Sequence, residues 1–367
     1  MKEIRRIIQL YDQLKEDDTP AALAVVVDVE ASSYRRIGAR LLVAADGRYV
    51  GGISGGCLEG DALRRARAAI LAGEPATHTY DTLDGEDAVI GVGLGCEGRI
   101  EVLFIPLDHA NANNEIEILR QLVDTRTPRV LVRMLNAEEG TPFFTGLCAV
   151  EDLARVAQIT GQPQNVLREK AIAVLRGGRS RREAIPGKRG FPHSVLFEVL
   201  HPEIHLVVTG TNYDIPPTLT AAKTLGWRTT VVGPRRKFTA EMHALADQLL
   251  DYSEVNRLTP DAATAVVLMS HDFEWDRKMV THFLPLAPVY FGMLGPKKRA
   301  QKMHELLQES TDIDLLGYAN LYSPVGLDIG AETPEEIAAS LLAEIIAVFR
   351  GRDDRMLRER TGTIHGS

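Results

Sequence analysis

Five short apolar runs follow one another from His205 onward, and each is separated from the next by a segment with helical spacing. The runs are HLVVTG, WRTTVVG, ADQLLDY, TAVVLMS and PVYFGMLG. Strands that alternate with helices in this way form a parallel, doubly wound sheet. The second half of the chain is therefore predicted to be a Rossmann-like α/β domain. The segment TPEEIAASLLAEIIAVFRG is predicted to close it with a helix that Thr333 caps.

The first half is predicted to be a mixed α/β domain. An amphipathic N-terminal helix precedes the β-branched strand ALAVVVDVE, and the pair Asp46-Gly47 marks a tight turn between two strands. A helix from Leu58 to Ala72 and the strand RIEVLFIPL follow. A further helix is expected at about Glu115–Val123, before the strand RVLVRML.

The two domains are predicted to span residues 1–192 and 193–367, with the boundary in the stretch His193–His205. Before that boundary, Gly161 to Gly190 has an irregular composition. Its basic part, RGGRSRREAIPGKRG, is either a solvated surface loop or a loop that faces an anionic ligand.

Composition excludes several classes of protein. The net charge of −8 over 367 residues argues against a nucleic-acid-binding protein, which needs a basic face. No apolar run is long enough to span a bilayer, and the N-terminal helix resembles neither a secretory signal nor a transit peptide. The chain has three cysteines and no CxxC pair, so we expect neither a disulfide framework nor a zinc site, and we expect the protein in a reducing cytoplasm.

The stretch GRYVGGISGGCLEGD surrounds a thiol with backbone that carries few side chains. Glycine is useful where a ligand or another backbone must come close. Cys57 lies where the helical pattern begins, so the helix dipole favours its thiolate, whereas Glu59 and Asp61 oppose it. A second glycine-bracketed thiol, Cys96, occurs in GVGLGCEGRIEV. From the residues alone, Cys57 is either a functional thiol or a packed one.

The first turn of the second domain, TGTNYDIPP, stands where a dinucleotide-binding domain would have GxGxxG. Only Gly210 of that motif is present, and Asn212 and Asp214 occupy places where glycine or another small residue is expected. Gly233 stands where an acid would bind a ribose. The arginines that follow it, Arg235 and Arg236, are candidates to hold phosphate. The sequence signal for NAD(P) is therefore weak.

Two more turns follow predicted strands, at the edge where open α/β sheets bind ligands. LMSHDFEWD contains His271 and Asp272, and His271 is either a structural histidine or a functional one. YFGMLGPKKR contains Gly292 and Gly295, and places Lys297–Arg299 in the first turn of a helix. Basic residues there oppose the helix dipole unless an anion is bound. We therefore expect a phosphate-bearing ligand at these strand ends.

Taken together, these segments resemble the xanthine dehydrogenase accessory-factor family, XdhC/CoxI, over nearly the whole chain. The resemblance rests on ASSYRRIGARLLVAADGRYVGGISGGCLEGD and GLGCEGRIEVLFIP in the first domain. In the second domain it rests on LGWRTTVVGPR, VVLMSHDFEWD, VYFGMLGPKKR and SPVGLDIGAETPEEIAASLLAEIIAVFRG.

The resemblance implies a maturation factor and not an enzyme with catalytic residues of its own. Such a factor binds molybdenum cofactor, presents it for sulfuration by a cysteine desulfurase, and delivers it to a xanthine dehydrogenase or a related molybdenum hydroxylase. Cys57 would contact the metal or relay sulfur, and we expect a homodimer. The residues expected to bind the cofactor are Gly52, Ser54, Gly55, Gly56, Cys57, Glu59, Cys96, Gly210, Asn212, Asp214, Arg235, His271, Asp272, Gly292, Gly295 and Arg299.

Two alternatives belong to other classes of protein. The first is an NAD(P)-dependent oxidoreductase, in which Arg235 and Arg236 would read a 2′-phosphate. The second is a thiol enzyme with Cys57 as its nucleophile. No histidine lies near Cys57 in the sequence, although a histidine distant in sequence can still be a spatial partner.

Overall fold

The structure, a computed structural model, describes residues 1–31, 35–81, 98–135, 147–150, 152–187, 192–353 and 355–359. The described residues form two compact units, which divide between His201 and Pro202. This division falls within the stretch His193–His205 but later than residue 192, because residues 192–200 form a strand that pairs with two strands of the first unit.

The N-terminal unit contains five described helices and nine described strands. The helices are α1 Lys2–Glu16, α2 Glu59–Ala72, α3 Glu115–Arg120, α4 Ala154–Thr160 and α5 Gln164–Gly177. The strands are β1 Ala21–Ala31, β2 Arg40–Ala44, β3 Tyr49–Gly51, β4 Ala76–Asp81, β5 Gly98–Leu107, β6 Arg129–Met134, β7 Leu147–Ala149, β8 Arg181–Pro186 and β9 Pro192–Leu200. They form two antiparallel sheets, ordered β3-β2-β1-β5-β4 and β7-β6-β9-β8.

Strand β1 is apolar on both faces because both faces are covered. Alternate side chains of a strand point to opposite sides. Leu23 and Val25 pack in one apolar cluster with α1, whose buried residues recur at helical spacing. Ala24 and Val26 pack on the other side with α2. This burial explains why the sequence of β1 is a continuous apolar run.

A buried ion pair joins the two sheets of this unit. The guanidinium of Arg40, at the start of β2, donates to both carboxylate oxygens of Glu198 on β9, at 2.6 and 2.7 Å. Both side chains are only 3% exposed. Arg40 also donates from its other Nη atom to the carbonyl of Gly38 at 2.7 Å, whereas its buried Nε has no hydrogen-bond partner among the described residues.

The prediction that the basic part of Gly161–Gly190 is a loop is wrong over Arg181–Pro186, which form a strand. Residues Gln164–Gly177 form α5, which buries Leu167, Ala171 and Val174 at helical spacing. Residues Arg181–Pro186 form β8, an edge strand paired with β9. Arg181 and Arg182 are tolerated on this strand because each pairs with a carboxylate. A basic composition therefore did not indicate a loop here.

The C-terminal unit contains one parallel six-stranded sheet. Its strands are β10 His205–Thr209, β11 Arg228–Val232, β12 Gln248–Leu250, β13 Thr264–Leu268, β14 Tyr290–Met293 and β15 Leu321–Tyr322, in the order β12-β11-β10-β13-β14-β15. Its helices are α6 Ile215–Leu225, α7 Ala240–Leu245, α8 Phe273–Phe283, α9 Lys297–Gln308 and α10 Pro334–Phe349. Short 3-10 helices span Arg235–Lys237, Tyr252–Arg257, Leu284–Leu286 and Leu357–Glu359.

Helices cover both faces of this sheet. One apolar cluster joins alternate strand residues to α6, α7 and α10, and the other joins the intervening residues to α8 and α9. The expected cap of α10 is present: Thr333 accepts from the N–H of Glu336, and the Glu336 carboxylate accepts from the N–H of Thr333. The predicted fold class, a mixed α/β domain followed by a Rossmann-like domain, is confirmed.

Within the described part of the chain, no helix is both long enough and apolar enough to cross a membrane.

Candidate functional site

The C-terminal sheet reverses its strand order between β10 and β13, the place where doubly wound sheets bind their ligands. The turn after β10 carries Asp214, and the turn after β13 carries His271. Nε2 of His271 lies 2.7 Å from Oδ2 of Asp214. The structure thus brings together two predicted site residues that are 57 positions apart in the chain.

The two side chains of this pair differ in their environment. Asp214 is 6% exposed, whereas the imidazole of His271 is 52% exposed. Because Nε2 faces the carboxylate, it acts as the donor, and Nδ1 remains for another partner. Among the described residues, Nδ1 of His271 has no hydrogen-bond partner, and the buried Oδ1 of Asp214 has none. His271 also has φ +55°, a left-handed conformation that is uncommon outside glycine.

The helix that follows β10 offers few donors to a pyrophosphate. In a dinucleotide site, free backbone N–H groups at the helix N-terminus face the phosphates. Here α6 begins Ile215-Pro216-Pro217, so two of its first three residues have no N–H. The N–H of Ile215 already donates to the carbonyl of Asn212 at 3.1 Å. The first turn of α6 therefore offers no free amide among these residues.

The residues that replace the glycine motif hold two turns together. The side-chain amide of Asn212 donates to the carbonyls of Met269 and Ser270, at 3.2 and 2.8 Å. Gly210 has φ +121°, and a Cβ there would lie 2.5 Å from the carbonyl oxygen of Met269. Gly210 is thus required by the close approach of the turn after β13, which needs no ligand to explain it.

Gly233 is also determined by packing. A Cβ at this position would lie 2.6 Å from Cγ2 of Thr211. An acidic side chain at position 233 would therefore displace Thr211 before it reached a ribose. In the described turn after β11, the ribose acid of a dinucleotide site is therefore not present.

The two arginines predicted to hold phosphate have carboxylate partners. Arg235 is 68% exposed and pairs with Glu254. Arg299 donates to Oδ2 of Asp276 at 2.7 Å, and Asp276 is 1% exposed. Among the described residues, no ion pair or side-chain hydrogen bond involves Arg236, Lys297 or Lys298.

The remaining predicted residues at this edge have local structural roles. Asp272 caps α8 by accepting from the N–H groups of Glu274 and Trp275. Gly292 lies so close to the Tyr290 ring and to Val325 that a Cβ would be 2.7 Å from each. Gly295 has φ +116°, and a Cβ there would lie 3.0 Å from Cδ of Arg299.

In the N-terminal unit, the glycine-rich loop before α2 folds around the carboxylate of Glu59. Oε1 of Glu59 accepts from the N–H groups of Ile53 and Ser54, at 3.2 and 2.9 Å. Oε2 accepts from the hydroxyl of Ser54. The same hydroxyl accepts from the N–H of Leu58 at 3.0 Å. Two amides that the sequence offered to an anionic ligand are thus occupied by a side chain of the protein.

The pKa of Glu59 reports this arrangement. Burial alone raises the pKa of the carboxyl, but hydrogen bonds from the Ser54 side chain and from the N–H groups of Ser54, Glu59 and Ile53 outweigh it. The pKa of Glu59 therefore lies below its usual value, and the carboxylate stays ionised and holds the loop at neutral pH.

Cys57 lies within this loop as a half-buried cysteine. It packs at the margin of the apolar cluster that β1 and α2 form. The neighbouring Gly55 and Gly56 are exposed, and Gly56 has φ +109° with open space where a Cβ would stand. Gly52 would place a Cβ 3.3 Å from Oε1 of Glu59. Cys96, the other predicted thiol, lies outside the described residues.

The register of the sheet shows which end this loop occupies. Gly51, at the end of β3, pairs with Leu41, and Arg40 pairs with Val25 of β1. At the same end of the sheet, Asp81 of β4 pairs with Arg99 of β5. The chain therefore leaves β4 and enters β5 at the end of the sheet where the Cys57 loop begins.

A polar cleft of ≈ 300 Å³ opens on the opposite face of this sheet. Asp28, Glu30, Arg99, Glu101 and Arg182 line it. Its charges are mutually paired, since Arg182 binds both Asp28 and Glu101. Val29, between Asp28 and Glu30, packs against the same apolar cluster as Cys57. Because neighbouring side chains of a strand point to opposite faces, the cleft and the thiol lie on different faces of the sheet.

Two features of these sites were not found from the sequence. The first is the pairing of Asp214 with His271, for which the only signal was that each follows a strand. The second is the use of Glu59 as an acceptor inside its own loop. An acid placed five residues after a serine in a glycine-rich turn was the available signal for that contact.

Comparison with known families gives two matches. Residues 206–345 match the model of the XdhC Rossmann domain, and residues 14–81 match the model of the XdhC and CoxI family.

Comparison with individual proteins covers most of the chain. The chain is 28% identical to a protein of Bacillus subtilis (strain 168) named as a probable subunit of xanthine dehydrogenase, over 92% of this chain and 96% of that protein. It is 25% identical to the molybdenum cofactor insertion chaperone PaoD of Escherichia coli (strain K12), over 89% of this chain and 83% of that protein. A crystal structure of a xanthine dehydrogenase from Bacillus halodurans superposes with a TM-score of 0.70 at 26% identity, covering 95% of this chain and 97% of that chain.

Proposed function

The chain belongs to the XdhC and CoxI family, and from that premise we propose that it carries molybdenum cofactor for a xanthine dehydrogenase-type molybdoenzyme. Two relatives support the proposal by their names, one as a probable part of a xanthine dehydrogenase and the other as a molybdenum cofactor insertion chaperone. In this function the cofactor is cargo, and the protein binds, shields and releases it.

The observation that carries the proposal is the setting of Cys57. The thiol is half-buried beside two exposed glycines, and Gly56 leaves open space next to it. A thiolate is a soft metal ligand, and glycines let a bulky cofactor approach it. The hydrogen bonds of Glu59 hold the loop that presents the thiol. We propose Cys57 as the residue that contacts molybdenum.

Three finer statements belong to the same proposal. The bound cofactor is presented to a cysteine desulfurase for sulfuration before it is delivered to the client. The carrier acts as a homodimer. It works in the cytoplasm, where it meets both the cofactor and the client enzyme.

The proposal is tested by purifying the protein from cells that make the cofactor and measuring molybdenum and pterin per chain. We expect both to co-purify in equal amounts, and we expect the loaded protein to activate a cofactor-free client. If the protein carries neither molybdenum nor pterin, and activates no client, the proposal fails.

The NAD(P)-dependent oxidoreductase gains no support from the turn after β10. Pro216 and Pro217 remove two amides from the first turn of α6, and Gly233 has no room for an acidic side chain. A titration followed by nicotinamide fluorescence separates the two functions, because the carrier is expected to leave the fluorescence of NADPH unchanged.

A further inference from the structure

Helix α9 carries its charges against the direction of its own dipole. The N-terminal turn of an α-helix favours acids, and the C-terminal turn favours bases. The first turn of α9 holds Lys297, Lys298 and Arg299 and no acid, and its last turn holds no base. Asp276 neutralises Arg299 but not the two lysines. The stability of α9 therefore does not explain why these lysines are present.

Aromatic rings of the neighbouring helix α8 hold cations in place. Phe273 has Nζ of Lys302 at 5.4 Å and Cζ of Arg299 at 5.5 Å from the centre of its ring. Nζ of Lys278 lies 4.2 Å from the centre of the Trp275 ring. A ring face attracts a cation without neutralising it. Lys278 and Lys302 therefore keep their charge in an ordered position, which reduces the entropy lost when a partner binds.

The acids of the two helices leave most of this positive charge uncompensated. Together α8 and α9 contain six lysines and arginines and three acids. Two of these acids are already paired, Glu274 with Arg277 and Asp276 with Arg299. The basic face is formed by four exposed lysines whose side chains have no ion pair or hydrogen bond among the described residues: Lys278, Lys297, Lys298 and Lys302. Its charge is opposite in sign to the net charge of −8 of the whole chain.

The chemistry of a partner follows from what accompanies these lysines. Neither α8 nor α9, both described over their whole length, exposes a large apolar side chain. A helix that lies on a membrane buries an apolar face in the lipid, which these helices do not offer. The negative net charge disfavours the long phosphate backbone of a nucleic acid. The lysines lie on two helices, so an extended row of carboxylates matches them better than one small anion does.

We propose that the basic face of α8 and α9 is a docking surface for an acidic segment of a partner protein. Lysine ammonium groups and carboxylates across such a surface give specificity and speed association. The inference does not rest on the proposed function, because it concerns a contact between proteins and its test uses neither molybdenum nor pterin.

The test is fluorescence anisotropy with a labelled peptide of alternating glutamate and glycine, compared with a peptide in which glutamine replaces every glutamate. We expect the acidic peptide to bind about tenfold more tightly at low salt, and to lose affinity as salt is added. Sedimentation with phosphatidylserine vesicles tests the membrane as the partner. Equal binding of the two peptides, or binding of the vesicles without binding of the acidic peptide, overturns the proposal.

Charge reversal locates the binding surface. The double variant Lys298→Glu and Lys302→Glu should weaken binding of the acidic peptide by about tenfold or more. Its matched control, Lys223→Glu with Lys237→Glu, makes the same change in net charge at two exposed lysines outside α8 and α9. The control should keep most of the affinity. If the two double variants weaken binding equally, the effect comes from net charge and the proposed surface is wrong.

Unfolding separates a binding role of Lys298 from a structural one. Because this lysine opposes the dipole of α9, Lys298→Glu should raise the urea midpoint of unfolding while it weakens peptide binding. A lysine that served only to stabilise the helix would give the opposite shift. A midpoint that stays unchanged or falls would overturn the inference that the basic face is present for a partner.

Discussion

Replacing Glu59 by glutamine is expected to loosen the loop that carries Cys57. The carboxylate accepts two backbone hydrogen bonds, from Ile53 and Ser54, and one from the Ser54 hydroxyl. Glutamine keeps the size of the side chain and one acceptor oxygen but loses the charge and the second acceptor. The variant therefore changes the hydrogen bonding of the loop and leaves its packing nearly intact.

The magnitude follows from the number and kind of these bonds. A hydrogen bond to a charged group contributes about 1.5–3 kcal/mol, roughly twice a neutral one. Glutamine retains neutral versions of the backbone bonds and loses the one from the hydroxyl. Because the Glu59 side chain is only half-buried, we expect a loss of about 1–2 kcal/mol in the free energy of unfolding.

The assay is urea unfolding of the parent and of Glu59→Gln at neutral and at acid pH, together with the rate of Cys57 alkylation. The folded-state pKa of Glu59 is lowered, so its contribution is fully present above the ordinary value of about 4.3 and is lost as pH falls through the folded pKa. The difference between the two proteins should be full at neutral pH and shrink in acid. Cys57 should be alkylated faster in the variant at neutral pH.

Glu74→Gln is the matched control, because Glu74 is exposed just after α2. It should alter neither unfolding nor alkylation. The reasoning is refuted if Glu59→Gln unfolds like the parent at neutral pH, or if a difference seen there persists unchanged in acid.

Two substitutions and one titration test the fold and the C-terminal edge. Glu198→Gln leaves Arg40 buried without its carboxylate and should destabilise the chain by about 3–5 kcal/mol in urea unfolding; a loss under about 1 kcal/mol would contradict this. Gly210→Ala forces a Cβ to within 2.5 Å of the Met269 carbonyl at φ +121°, so the melting temperature should fall, and an unchanged value would show that the two turns can separate. NADPH should give no saturable fluorescence change with the parent protein, and saturable binding would restore the interpretation of this edge as a dinucleotide site.

The C-terminal fold was predictable because its signal is local. Each strand is a short apolar run, and each run is followed by a helical segment. This alternation along the chain is enough to indicate a parallel sheet. The strand Arg181–Pro186 was not predictable in this way, because Arg182 is neutralised by carboxylates distant in the sequence. Asp28 and Glu101, which pair with Arg182, illustrate that dependence.

The candidate sites show the same division. Residue type predicted that Asp214 and His271 would lie at strand ends, but their contact depends on β10 and β13 being neighbours. The glycines misled in one respect. At Gly210 the sequence indicated a place where a ligand could come close, whereas the space is taken by the carbonyl of Met269. The sequence does not show whether a glycine makes room for a ligand or for another part of the protein.

The measurement that tests the central proposal most directly is the molybdenum retained per chain by Cys57→Ala after purification from cells that make the cofactor. Cys96→Ala and Cys148→Ala serve as thiol controls, and circular dichroism verifies that each variant is folded. If Cys57 contacts the metal, its variant should lose about tenfold or more of the molybdenum that the parent retains, and more than either control loses. A folded Cys57→Ala protein that retains as much molybdenum as the parent, and activates the client equally, would contradict the proposal.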